Sequence, residues 1–153
     1  MARREDLLRR EAEAWHRLAA ALDGLTPRQL ERPGLNGEGW SIKDLLWHVA
    51  VWCDDAAETL HAMAAGTWDG RDLAAEVGTD RVNREALERS REMGLEPVRA
   101  AWWRDRGRML EAFGALEDVT PRAAEWFDEA GPAHYEEHLE ELEAWVAELR
   151  SAG

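Results

Sequence analysis

The chain has 153 residues and a formal net charge of −13, from 32 acidic residues against 19 basic ones. That length fits one domain able to bury a core, and the charge argues against nucleic acid or an anionic membrane surface as partner, since both are polyanions. Cys53 stands alone and cannot close an intramolecular disulfide, no run reaches the apolar length of a bilayer span, and Met1-Ala2-Arg3-Arg4-Glu5-Asp6 lacks the apolar stretch of a secretory signal, so the expected compartment is the cytoplasm.

Helical spacing dominates, with almost no strand signal. Leu8, Ala12, Trp15, Ala19 and Leu22 recur at helical intervals and predict a helix from about Arg3 to Leu22, stopped by Asp23-Gly24. The connection from Asp23 to Trp40 holds Pro27, Pro33, Gly34, Gly37 and Gly39, with Thr26-Pro27 able to start one short turn. Ser41 and Asp44 stand at capping-box spacing, aspartate replacing the usual glutamate, and open a second helix that runs to about Ala65 and ends at Gly66. His48 lies at the edge of this helix's apolar stripe, beside Trp52 and Asp55.

The segment from Thr67 to Gly78 reads as a loop, and Asp80 to Met93 as an extra short helix capped by Thr79 and ended by Gly94. Pro97 to Leu116 reads as the third long helix, with Asp105 in the middle of its inner face, where Arg106 or Arg108 would be its ion-pair partner. The fourth starts near Gly131-Pro132 and runs to about Arg150, with Tyr135, Leu139, Leu142, Trp145, Val146 and Leu149 inward and His134 and His138 bordering them. The expected fold is all-α: an up-and-down four-helix bundle in one domain over residues 1–153, with long connections and an extra short helix.

Three histidines carry the chemistry. His134 and His138 are four residues apart, so they stack on one helix face and their imidazoles can converge on a single ion. In an up-and-down bundle the second and fourth helices run in the same direction, and His48 lies at nearly the same level as the pair. His48, His134 and His138 are therefore the candidate metal ligands of an open, three-ligand site. Three neutral ligands leave the ion's double charge intact, which moves a bound water toward a pKa near ~7 and deprotonates a bound thiol. Asp55, Glu137, Glu141 and Asp105 are candidate acceptors for the ring N–H groups.

Other features point elsewhere. Glu13-x-x-His16 and Glu58-x-x-His61 have di-iron spacing but fall near opposite ends of an antiparallel hairpin, which makes His16 and His61 surface residues. Cys53 sits on a buried stripe as a small core residue. Trp52 and Tyr135 are candidate pocket residues, while Trp47 and Trp103 face outward and favour a partner surface, most simply a homodimer.

The stretch Gly39-Trp40-Ser41-Ile42-Lys43-Asp44-Leu45-Leu46-Trp47-His48-Val49-Ala50-Val51-Trp52 resembles the second-helix signature of the DinB/YfiT-like four-helix-bundle metalloproteins. Ala133-His134-Tyr135-Glu136-Glu137-His138-Leu139-Glu140-Glu141-Leu142 resembles their fourth-helix signature. The resemblance implies one divalent metal, zinc or nickel, at the positions of His48, His134 and His138, with water in the open position; imidazole suits iron as well. It also implies relatives that use the low-molecular-weight thiols mycothiol or bacillithiol. Within that family the chain is similar to the amino-terminal domain of mycothiol-dependent maleylpyruvate isomerase, and departs from it in carrying His134 where that enzyme has a glutamate ligand. The expected activity is metal-dependent, thiol-dependent transfer or hydrolysis on a small-molecule substrate. The other class to weigh is a non-catalytic protein of the same fold that sequesters a small molecule or a metal.

Overall fold

Four long amphipathic segments become the long helices of the computed structural model, which describes residues 2–71 and 73–152. These are α1 (Ala2–Ala21), α3 (Ile42–Ala65), α6 (Leu95–Gly114) and α8 (Pro132–Ser151). Between them lie α2 (Pro27–Leu30), α4 (Leu73–Val77), α5 (Thr79–Glu92) and α7 (Pro121–Ala130), and the described residues contain no strand. None of the helices is long and apolar enough to cross a membrane.

The most extensive seam joins α3 to α6, and a second joins α1 to α8. Aromatic rings tie the seams together. Trp15 of α1 stacks on Trp102 of α6 at 5.0 Å, and Phe113 of α6 stacks on Phe127 of α7 at 4.0 Å. Across α1 and α6, Glu11, 1% exposed, holds Arg106 through two charge-assisted hydrogen bonds of 2.7 and 2.9 Å, and the same guanidinium lies over the Trp15 ring.

The start of α3 is built as the sequence implies, and then used twice. The Ser41 hydroxyl accepts the Asp44 N–H, while Asp44 Oδ2 accepts the Ser41 N–H at 2.8 Å. The other oxygen, Asp44 Oδ1, accepts the Ser90 hydroxyl at 2.5 Å, so the capping residue also anchors α5 to α3. Lys43, the sole lysine, is buried and donates to the Met93 carbonyl at the end of α5. The Asp23–Trp40 connection folds back through the Gly34 and Leu35 N–H groups, which both reach the Trp40 carbonyl. Gly34 has φ +133, and a Cβ there would come within 2.5 Å of the Trp145 ring.

Several expectations change. The Thr67–Gly78 segment contains α4, and Asp72 within it lies outside the described residues, as do Met1 and Gly153. Thr79 is the first residue of α5 and makes no cap; Gly78, at φ +86, holds that position. Helix α6 begins two residues earlier than Pro97, at Leu95, which still leaves the proline in the first turn. Helix α7 is an addition, capped by the Thr120 hydroxyl and entered through Pro121. The nearest cation to Asp105 is Arg104, at 3.1 Å, with Arg108 at 3.9 Å; Arg106 is turned toward Glu11 instead. Trp47 is half-buried against the core, whereas Trp103 is 59% exposed as expected.

Two stability measurements test these anchors. Gly34→Ala adds a Cβ against Trp145 at a φ that L residues avoid, and should cost about 1–3 kcal/mol in urea unfolding; an unchanged midpoint would mean the connection does not rest on that ring. Asp44→Ala should cost about 2–3 kcal/mol, and distinctly less in a Ser90→Ala background, because the two share one buried hydrogen bond. Strict additivity of the pair would refute the anchoring of α5 by Asp44.

Candidate metal centre

Two helices deliver the three histidines. His48 is the seventh residue of α3, one turn after Asp44 on the same face, so the cap that starts the helix also sets its height. His134 falls in the first turn of α8, and His138 one turn further on. Helix α8 is entered through Pro132 directly after Gly131, the residue that also ends α7. A Cβ on Gly131 would lie 2.9 Å from the Phe127 carbonyl oxygen, so the tight passage from α7 into α8 needs glycine.

The ring nitrogens converge. His48 Nε2 lies 2.9 Å from His134 Nε2, and one donor atom from each of the three residues lies within 4.8 Å of the others. Tetrahedral coordination with bonds of ~2.0–2.1 Å would separate neighbouring nitrogens by about 3.3 Å, so the triangle is already close to the size an ion requires. His48 and His134 are buried and His138 is half-buried. Burial pushes the His48 pKa down from 6.5 to about 2, with the neighbouring His134 and His138 adding to the effect. Burial likewise lowers His134 to about 3, helped by His138 and opposed by the Ala130 backbone. His138 is lowered by burial, against the pull of Glu137 and Glu141. At neutral pH all three rings are therefore uncharged, with lone pairs available to a cation.

The donor set fits a metal. Among the described residues, Nδ1 of His48 and Nδ1 of His134 are buried and reach no hydrogen-bond partner, so neither is received by the carboxylates the sequence offers. Asp55, Glu137 and Glu141 line the pocket above the rings, while Asp105 lies apart with Arg104. Trp40 packs its edge on His48 at 5.0 Å. Among the described residues no other group of three potential ligands forms; His16 and His61 are exposed.

Above the histidines opens a pocket of about 570 Å³. Trp52 and Asn83 line one side, and the Trp52 N–H donates to Asn83 Oδ1 at 2.9 Å. On another side Asn36 Oδ1 accepts the Glu38 and Trp40 backbone N–H groups. Both asparagines thus spend their acceptor on the protein, and what they can offer a ligand is chiefly N–H. Helix α7 supplies Trp126 and Arg122, with the Arg122 guanidinium over the Trp126 ring at 4.7 Å and paired with Glu125 at 2.8 Å.

Tyr135 is not on this wall. Although it follows His134, one residue turns the helix by about 100°, and its fully buried side chain enters the core with the hydroxyl 3.7 Å from Cys53 Sγ. Burial pushes the Cys53 thiol up to about 12, so it stays protonated. Sequence reasoning missed Asn36, Asn83 and the whole α7 wall. For α7 a signal was present, since Thr120-Pro121 repeats the cap-then-proline pattern of Thr26-Pro27.

Comparison with known proteins agrees with this architecture. The family model described as the mycothiol maleylpyruvate isomerase N-terminal domain matches residues 12–146, a span that includes all three histidines and every wall of the pocket. No curated protein and no solved structure matches the chain. On the extent of that match, the chain belongs to the family of the mycothiol maleylpyruvate isomerase N-terminal domain.

Proposed function

We propose that the chain holds one divalent metal ion through His48, His134 and His138 and acts on a small molecule, by thiol-dependent transfer or by hydrolysis. The observation that carries this reading is the convergence of three uncharged imidazole nitrogens within 4.8 Å at the floor of a pocket. Zinc and nickel are the leading ions and iron is compatible, because imidazole suits each. When bound, such an ion supplies Lewis acidity, acidifying water toward ~7 and stabilising thiol as thiolate.

The chain's own residues do the rest. Trp40 packs against His48 and limits its rotation. Trp52, held by Asn83, and Trp126, on α7, give flat apolar walls on which a substrate can lie while Asn36 and Asn83 offer N–H to its oxygens. Thiol chemistry here requires a thiol from outside: the only cysteine is buried, protonated and committed to Tyr135. Family membership supports mycothiol for that role. It also supports taking α1, α3, α6 and α8 as an up-and-down four-helix bundle with α3 and α8 parallel in direction.

Elemental mass spectrometry on untagged protein, purified without added metal or chelator, should find near one equivalent of metal per chain, lost in His48→Ala and in His138→Ala. Metal content unchanged by both substitutions sinks the three-histidine site. A protein that merely sequesters would bind its ligand stoichiometrically and release it unaltered, so turnover that changes when the metal is exchanged separates the two classes.

Acid should expose the buried imidazoles. The unfolded chain binds protons on these histidines below pH ~6.5, whereas the folded chain refuses them on His48 and His134 until about 2 and 3. Their contribution to stability is therefore whole above pH ~6.5 and declines as pH falls toward the folded values, by up to ~1.4 kcal/mol per pH unit for each ring. For metal-free protein, urea unfolding midpoints between pH 7.5 and 4.5 should fall less steeply in His48→Asn than in wild type. Parallel curves would show that His48 is not held uncharged by the fold.

A further inference from the structure

Helix α6 buries one face in the core through Val98, Trp102, Met109 and Phe113, and its opposite face breaks the pattern of a surface helix. Ala100, Trp103, Gly107, Leu110 and Gly114 follow one another at intervals of three and four residues, so they form one stripe along the outer side. All are exposed except Leu110, which is half-buried, and none is charged. An outward helix face is ordinarily polar. This one instead carries Trp103, at 59% the most exposed large apolar side chain among the described residues.

The indole is braced before anything covers it. Its edge meets Trp15 of α1 at 4.7 Å and Trp102 at 6.2 Å, so little freedom is left for a partner to remove. Beside it, Gly107 leaves a notch. A Cβ at Gly107 would meet nothing within 4 Å, so the chain's own packing does not need glycine there, although glycine weakens a helix interior relative to alanine. An anchor and a notch on the same face are what an isologous contact requires.

Charge selects a second copy of this chain as the occupant, and sets its direction. With −13 on each chain, copies repel least where acidic residues do not predominate: α6 has four arginines against three acidic residues, whereas α8 has six glutamates against Arg150. Arg104 and Glu111, seven residues apart, flank the stripe on the same side. The Arg104 side chain is 63% exposed beyond its bond to Asp105, and Glu111 has no cation partner among the described residues. Two α6 helices crossing antiparallel about Gly107 bring Arg104 to the partner's Glu111 and Glu111 to the partner's Arg104, so opposite charges meet twice. Parallel helices would set like against like.

We propose that this chain forms a two-fold symmetric dimer through antiparallel α6 helices, with Trp103 of each copy seated between Gly107 and Gly114 of the other. The stripe is about 21 Å long at ~1.5 Å per residue. That places the contact at the small end of specific interfaces, so the dimer dissociates on dilution. None of the three histidines lies on α6, and the dimer stands or falls separately from the metal.

Sedimentation equilibrium of untagged protein from about 1 to about 200 μM should show the 17.4 kDa chain giving way to twice that mass. Trp103→Ser should raise Kd by roughly a hundredfold. Gly107→Gln should abolish the dimer yet leave the urea midpoint of dilute, monomeric protein unchanged or higher, because glutamine favours a helix and its Cβ meets nothing in the chain. Arg104→Glu and Glu111→Arg should each weaken association roughly tenfold, and the double exchange should restore it. Residues seven apart on one helix are not neighbours, so that rescue cannot arise within a chain. Wild type that stays monomeric throughout the range overturns the proposal, as does a dimer indifferent to Trp103→Ser and Gly107→Gln. A double exchange that fails to restore association overturns the antiparallel pairing.

Discussion

One carboxylate organises the approach to the site. Asp44 is buried, and a buried charge persists only where hydrogen bonds replace its lost water. Its two oxygens collect the Ser41 N–H, the Ser41 hydroxyl and the Ser90 hydroxyl. The first two decide where α3 begins, and hence the height of His48 one turn later. The third decides where α5 lies, and hence that Asn83, two turns before Ser90, meets Trp52. The floor and one wall of the pocket are thus referenced to a single side chain.

The electrostatics divide in the same way. At the floor, burial strips the histidines of charge and leaves them as pure electron-pair donors. At the rim, Glu137 and Glu141 oppose the loss of basicity at His138, the most accessible of the three rings. Electron-pair donors at the floor thus sit beneath carboxylates at the rim. The remaining buried charges stay clear of this gradient: Glu11 is satisfied by Arg106, and Asp105 by Arg104.

Much of this was legible in residue order. Helical periodicity located the four long helices to within a few residues, and the spacing of Ser41 to Asp44 gave the start of α3 because a capping box is a local interaction. Four-residue spacing placed His134 and His138 together, and equal depth in two helices brought His48 to them. What stayed hidden depends on long-range contact. Ser90 reaching Asp44, Arg106 choosing Glu11 over Asp105, and Tyr135 turning to Cys53 are choices between partners far apart in the chain, and no local pattern ranks them. Helix α4 escaped notice because five residues carry no periodicity to read.

The histidines and one part of the pocket lining come from different kinds of segment. All three ring donors ride on long helices whose opposite faces build the core, so their positions cannot shift without disturbing it. Asn36 and Glu38 sit in a connection, Ala74 on a five-residue helix, and Thr79 and Asn83 in the first turns of α5. Substitution there leaves the interior packing alone. Changes in these short segments can therefore reshape the mouth of the pocket while the three ring donors keep their places on the core-bearing helices.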